Sequence, residues 1–281
     1  MPPDWLKIKK ARPDLTDYLI HWTRGEVVEG KRISAFENLM SIIQSGVLYP
    51  TFAPKRSMTV GGVSNTIQGP HPAVCFTEQP LDAFVRSYKA LGRYRPYGIA
   101  LRKDRLFVYG GRPAIYADKA LLSLLPEEHK YLWVRFNPIR STELGGYPVD
   151  WTHEREWRAK VKPYNYKGFE MSPPDGVPLL LPIDFEPNPP MVYLPWIIVR
   201  TAEEAAEIKD WISELPVYKG ANKVLGLYFA KLPNVLIVAL DDVEEHLEAG
   251  DHRWARLDTL PYDELDPAIA KSFKQIGWGI L

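Results

Sequence analysis

Two short segments of this sequence concentrate side chains able to do chemistry. In Asp150-Trp151-Thr152-His153-Glu154-Arg155-Glu156-Trp157-Arg158, two carboxylates lie two residues apart. An extended backbone would put Glu154 and Glu156 on one face and Arg155 and Trp157 on the other, because side chains alternate with a period of two. Such a pair suits acid–base catalysis, metal binding or stabilisation of a positive centre; it also suits a solvated strand edge whose glutamates pair with arginines. In Leu19-Ile20-His21-Trp22-Thr23, the same alternation sets His21 and Thr23 on one face and apolar Ile20 and Trp22 on the other. A single strand histidine is most often structural, so this segment gains meaning only in company.

Metal hydrolysis is the first chemistry to weigh. His153-Glu154 opens like a zinc-binding HExxH helix, but the second histidine position is Trp157, so the zinc face is incomplete. A nuclease-like set of Asp150 and Glu156 with Arg158 or Lys160 could hold Mg²⁺ through oxygen ligands, although its carboxylates are close in sequence for opposite sides of one ion. No residue is assigned as a metal ligand, and this set stands only as an alternative.

Composition narrows the class. The chain has 281 residues, 46% hydrophobic and 25% charged, as an ordinary globular protein does, which argues against disorder, collagen and coiled coil. Its 35 basic and 35 acidic residues cancel, so binding to nucleic acid would have to come from a local patch. One cysteine, Cys75, excludes an internal disulfide and a multi-thiolate metal site, and it suits a reducing compartment. No apolar run follows the basic N-terminus, and no stretch approaches the roughly 20 apolar residues of a membrane span. The expectation is a cytoplasmic protein without a membrane partner.

The elements that must position these residues can be read from caps and periodicity. Ser34 and Glu37 form a capping box ahead of Phe36, Leu39, Met40 and Ile43, with Gly46 as the stop. A second helix is expected from about Pro80 to Leu91, with Leu81, Phe84, Val85 and Tyr88 on one face. A third starts at the Thr201 to Glu204 box and presents Ile208, Trp211, Ile212 and Leu215. Strands are expected at 18–23, 73–77, 98–102, 114–116, 133–136, 156–161, 196–199 and 235–240. They do not alternate regularly with helices, which predicts an α+β fold over a doubly wound sheet. Prolines cluster between Pro173 and Pro190. They predict a stiff connector over 166–190 between a core at 14–165 and a C-terminal α/β extension at 191–281.

Taken in order, several segments carry a resemblance: the early His-x-Thr strand, the helix Phe36-Glu37-Asn38-Leu39-Met40, the segment Cys75-Phe76-Thr77-Glu78-Gln79-Pro80-Leu81, and the late Glu154-Arg155-Glu156-Trp157-Arg158. Together, over about residues 18 to 162, they resemble bacterial abortive-infection proteins of the AbiGi type. More distantly they resemble DarT-like toxins and the ADP-ribosyltransferase superfamily with its His-Tyr-Glu triad. The resemblance implies a mixed-sheet core with flanking helices and NAD as co-substrate. It implies that His21 bonds the adenine-side ribose, with Thr23 beside it, and that Glu156 is the catalytic glutamate. Glu154 takes the position that in some transferases orients or deprotonates the acceptor. Tyr116 is the choice for the aromatic that stacks on nicotinamide, with Tyr109 and Tyr97 as competitors.

The chemistry fits those residue types. Breaking the nicotinamide N-glycosidic bond creates an oxocarbenium-like ribose, and a nearby carboxylate stabilises charge that exists mainly in the transition state. Arg56 and Arg86 are candidates to hold the diphosphate, because a guanidinium fork matches phosphate oxygens. The stretch holding Arg86, Lys89, Arg93, Arg95, Arg102 and Lys103 has Tyr88, Tyr94 and Tyr97 interleaved, a composition suited to phosphates and stacked bases. A helix with a solvated basic face would have the same composition. It is the resemblance to DarT-like proteins, which modify nucleic acid, that implies a DNA or RNA acceptor, with an antitoxin or immunity partner. The loop from Met58 to Pro70 has the composition of a lid. Two other classes remain open: a binding module without turnover on the same fold, and the metal-dependent nuclease.

Overall fold

A computed structural model describes residues 12, 14–28, 31–56, 63–91, 96–139, 148–160, 164–166, 169–171, 176–179, 181–182, 192–193, 195–214 and 236–250. The principal strands are β1 (Tyr18–Trp22), β2 (Val74–Thr77), β3 (Gly98–Arg102), β4 (Arg112–Pro113), β5 (Ile115–Ala117), β6 (Trp133–Arg135), β7 (Glu156–Ala159), β8 (Trp196–Val199) and β9 (Leu236–Ala239). The helices are α1 (Ala35–Ser45), α2 (Leu81–Leu91), α3 (Lys103–Tyr109), α4 (Lys119–Leu124), α5 (Ala202–Glu214) and α6 (Leu240–Glu248). The architecture is a mixed α/β one, compatible with the expected α+β class. No helix among the described residues is long and apolar enough to cross a membrane. The chain divides into two units, one of Met1–Ser45, Pro80–Arg102 and Leu179–Leu281, the other of Gly46–Gln79 and Lys103–Pro178.

In the first unit the strands lie in the order β9, β8, β3, β1. β1 pairs antiparallel with β3, β3 antiparallel with β8, and β8 parallel with β9. The parallel pair is the one joined by a helical crossover, α5, as parallel strands require. β1 turns Tyr18, Ile20 and Trp22 into a core with Leu81, Phe84 and Val85 of α2, Trp196 and Ile198 of β8, and Val243 of α6. Trp22 stacks on Phe84 with ring centroids 3.6 Å apart. Gly98 lies opposite Trp22, and a Cβ there would come within 2.9 Å of both the His21 carbonyl and the Trp22 ring, so the stack depends on its having none. Phe84 is fully buried; truncation to alanine at such a site costs about 3–5 kcal/mol.

The capping boxes form as expected. Ser34 N–H donates to Glu37 Oε2 at 2.7 Å and Glu37 N–H donates to Ser34 Oγ at 3.1 Å. Thr201 and Glu204 repeat the reciprocal pair at 3.2 Å each way. Gly46 follows α1 at φ 69°, the left-handed position that glycine takes without strain.

In the second unit the strand order is β2, β7, β4, all antiparallel. β5 pairs in parallel with β6. Ile67, Ala73, Tyr131 and Leu132 form the unit's small core cluster, with Cys75 and Ile115 packed against it. The expected lid is thereby corrected over its second half: Ile67 is 1% exposed, and Thr66 Oγ1 donates to the Ala53 carbonyl at 3.0 Å. Residues 57–62 lie outside the described residues.

Candidate active site

β7 is the element that positions the late carboxylates, and it begins at Glu156 rather than before Glu154. Residues Thr152–Glu154 form a 3₁₀ turn, and Arg155 leaves it in the left-handed region at φ 44°, ψ 52°. The period-two argument that put Glu154 and Glu156 on one strand face therefore does not apply. What holds Arg155 in this conformation is tertiary. The Thr77 hydroxyl donates to the Glu154 carbonyl, and the Glu78 N–H donates to the Arg155 carbonyl at 3.2 Å.

From Glu156 onward the alternation is regular. Glu156 lies opposite Thr77 and Arg158 opposite Cys75, while Trp157 lies opposite Phe76. One face of β7 thus carries Glu156 and Arg158, the other Trp157 and Ala159. On the first face, Arg158 Nε donates to Glu156 Oε1 at 2.9 Å, with the side chains 4% and 13% exposed respectively. Arg158 Nη1 donates to the carbonyls of Tyr131 at 2.6 Å and Trp133 at 2.9 Å. Burial works against the Arg158 charge, but Glu156 first and Cys75 next more than offset it, and its pKa lies above the ordinary arginine value. Among the described residues, no hydrogen bond reaches Glu156 Oε2.

The aromatic neighbour of Glu156 is Tyr116 on β5. The Glu156 N–H donates to the Tyr116 hydroxyl oxygen at 2.6 Å, and the phenol's own proton has no acceptor among the described residues. Burial pushes the Tyr116 pKa up to about 12, the Glu156 N–H bond opposes that shift, and the carboxylates of Glu156 and Glu154 add to it. The second unit therefore brings Glu154, Glu156 and Tyr116 together. The competing tyrosines are engaged elsewhere: Tyr109 donates to the Gly176 carbonyl at 3.1 Å, and Tyr97 donates to Glu204 Oε1 at 2.7 Å.

On the opposite face of β7, the Trp157 indole donates to Glu78 Oε2 at 2.7 Å and Lys103 Nζ meets Glu78 Oε1 at 2.8 Å. Lys103 is thus drawn out of the basic stretch read from the sequence. Arg86 of that stretch is exposed on α2, and residues 92–95 lie outside the described residues.

His21 and Thr23 belong to the first unit. His21 is half-buried on the β1 face opposite Tyr18, Ile20 and Trp22. The buried Thr23 hydroxyl has one proton, directed at the Ala35 carbonyl at 2.8 Å and the Tyr97 carbonyl at 3.1 Å, so toward a ligand it can act only as an acceptor. Arg56 ends the strand Pro54–Arg56, opposite Val63. The set proposed for Mg²⁺ does not assemble: both Asp150 hydrogen bonds are made by Thr152, Glu156 is held by Arg158, and no group of three His, Cys, Asp or Glu among the described residues could hold a metal ion.

The residue that sequence reasoning misplaced is Arg158, whose anchoring carbonyls lie 27 and 25 residues earlier in the chain. The only signal for it was the i, i+2 spacing to Glu156. No protein-family model, curated protein or solved structure matches the chain.

Proposed function

We propose that this chain is an NAD-dependent mono-ADP-ribosyltransferase, a toxin or antiphage effector in which Glu156 is the catalytic carboxylate. One observation carries the reading. Glu156 has one oxygen held by a buried guanidinium and the other without a hydrogen bond among the described residues, and beside it stands a tyrosine whose phenolic proton has no acceptor among them either. A fixed acceptor next to a free donor and an aromatic ring suits a sugar hydroxyl and a flat leaving group.

In this reading the bond between the ribose C1′ and the nicotinamide nitrogen breaks, and nicotinamide leaves with the electron pair. The positive charge that builds on the ribose is stabilised by the preorganised Glu156 carboxylate. An acceptor nucleophile then bonds to C1′ and gives its proton to a nearby base, the role this reading gives to Glu154, whose charge acts on the Tyr116 phenol. The acceptor is proposed to be nucleic acid, from the interleaved basic and aromatic residues around Arg86.

The test is transfer of label from etheno-NAD or biotinylated NAD to cell components, together with NAD hydrolysis. Wild type is expected to label, and Glu156→Gln to lose about 10²- to 10³-fold in rate while keeping its fold. Equal labelling by both proteins would remove Glu156 from the chemistry.

A further inference from the structure

Arg158 is a buried cation that the transferase reading leaves without a role. A guanidinium only 4% exposed must be paired and hydrogen-bonded to be tolerated, and its partners are unequal in kind. Two of them, the carbonyls of Tyr131 and Trp133, are main-chain groups at the junction of a 3₁₀ turn and β6. The third is the Glu156 carboxylate, through Oε1 alone.

The order of constraint follows from this. Main-chain carbonyls at the start of a paired strand move little, so they fix the plane of the guanidinium. The planar fork then has its Nε–H pointing in one direction, and Glu156 Oε1 lies along it. A glutamate side chain otherwise has several rotamers open to it, and freezing one during the reaction would raise the barrier. Held by Oε1, Glu156 keeps a single presentation of Oε2. Lysine could not do the same work, because an ammonium is a compact point charge without the fork geometry.

Resting on the transferase reading, we propose that Arg158 is the positioning residue of this centre: anchored on the Tyr131 and Trp133 carbonyls, it grips Oε1 of Glu156 and leaves Oε2 to face the reacting sugar, without touching substrate itself.

The experiment is a double-mutant cycle on the full chain with Arg158→Lys, Glu156→Gln and the two combined. It reads kcat and KM for NAD, with a thermal melt to establish folding. Arg158→Lys is expected to lower kcat by about 10- to 100-fold with little change in KM, because misplacing a reacting group costs rate rather than binding. The combined variant is expected to be no slower than Glu156→Gln alone, since a residue that acts through Glu156 has nothing left to position. Full kcat in Arg158→Lys, or the same fold-loss in both backgrounds, overturns the proposal.

A second measurement needs no change at Arg158. In the ¹⁵N-labelled protein its Nε–H should exchange slowly with solvent and shift when Glu156 becomes glutamine; a fast-exchanging Nε–H overturns the grip. A wild-type chain that turns over no NAD overturns the transferase reading and this role with it. An active wild type with additive losses overturns the role alone.

Discussion

The hydroxyl oxygen of Tyr116 accepts the main-chain N–H of Glu156 at 2.6 Å, across 40 residues of sequence. The aromatic ring and the carboxylate are therefore coupled through the backbone: the first residue of β7 cannot shift without pulling on the phenol. The same bond closes the end of the sheet ladder, where the Ala114 N–H donates to the Glu156 carbonyl at 2.8 Å.

Alkaline stability should report this coupling. Tyr116 and Tyr109 are each pushed up to about 12, burial being the first cause for both, whereas an unfolded tyrosine titrates near 10. Between those values the unfolded chain has lost protons that the folded chain keeps. The stabilisation is thus complete below about pH 10 and is lost as pH rises towards 12. Denaturant midpoints measured from pH 8 to 12 should fall over that window, and fall less steeply in Tyr116→Phe. Identical slopes in the two proteins would show that the phenol does not titrate in this way.

Glu78 should prove important for stability. It joins the Trp157 indole to Lys103, with Glu78 16% and Lys103 24% exposed, so Glu78→Ala leaves the indole without its acceptor. Breaking fully buried pairs costs about 3–5 kcal/mol; partial exposure reduces that here to about 2 kcal/mol. At about 2–4 °C per kcal/mol, the melting temperature should drop by roughly 4–8 °C. Because Trp157 lies on the face of β7 away from Glu156, the rate per folded molecule should change little. A large rate loss with an unchanged melt would contradict that division of faces.

Thr23→Val separates two roles for the first unit's hydroxyl. Its proton is directed at the Ala35 and Tyr97 carbonyls, so removing it leaves buried acceptors weaker by about 1–2 kcal/mol. A lower denaturant midpoint with unchanged KM for NAD is expected. A raised KM with an unchanged midpoint would assign Thr23 to the co-substrate instead.

The sequence was most legible where structure is local. The Ser34–Glu37 and Thr201–Glu204 boxes are complete within four residues each, and both helices start where the boxes put them. β7 was legible as a strand, but its start was not, because the left-handed Arg155 is held by Thr77 and Glu78, far away in sequence. The apolar run through Leu240 reads as continued strand. The chain instead turns into α6 there, with Asp241 and Asp242 in its first turn where acidic side chains favour a helix start. α4 was overlooked although Asp118 caps it, accepting from the Leu121 N–H at 3.1 Å, because six residues give too short a periodic pattern. At the candidate site, the paired glutamates were visible in the sequence, whereas Tyr116 was one of three tyrosines there and is singled out only by its bond to the Glu156 N–H. The grip of Arg158 was not visible, since main-chain carbonyls carry no sequence signature.

Arg158 also sets a condition on biosynthesis. Its hydrogen bonds reach back 27 and 25 residues, to Tyr131 and Trp133, so no shorter nascent segment contains the whole arrangement. A ribosome that stalls before residue 158 releases a chain whose glutamate has no clasp. The clasp on Glu156 is therefore completed only when the last strand of that unit's ladder is laid down.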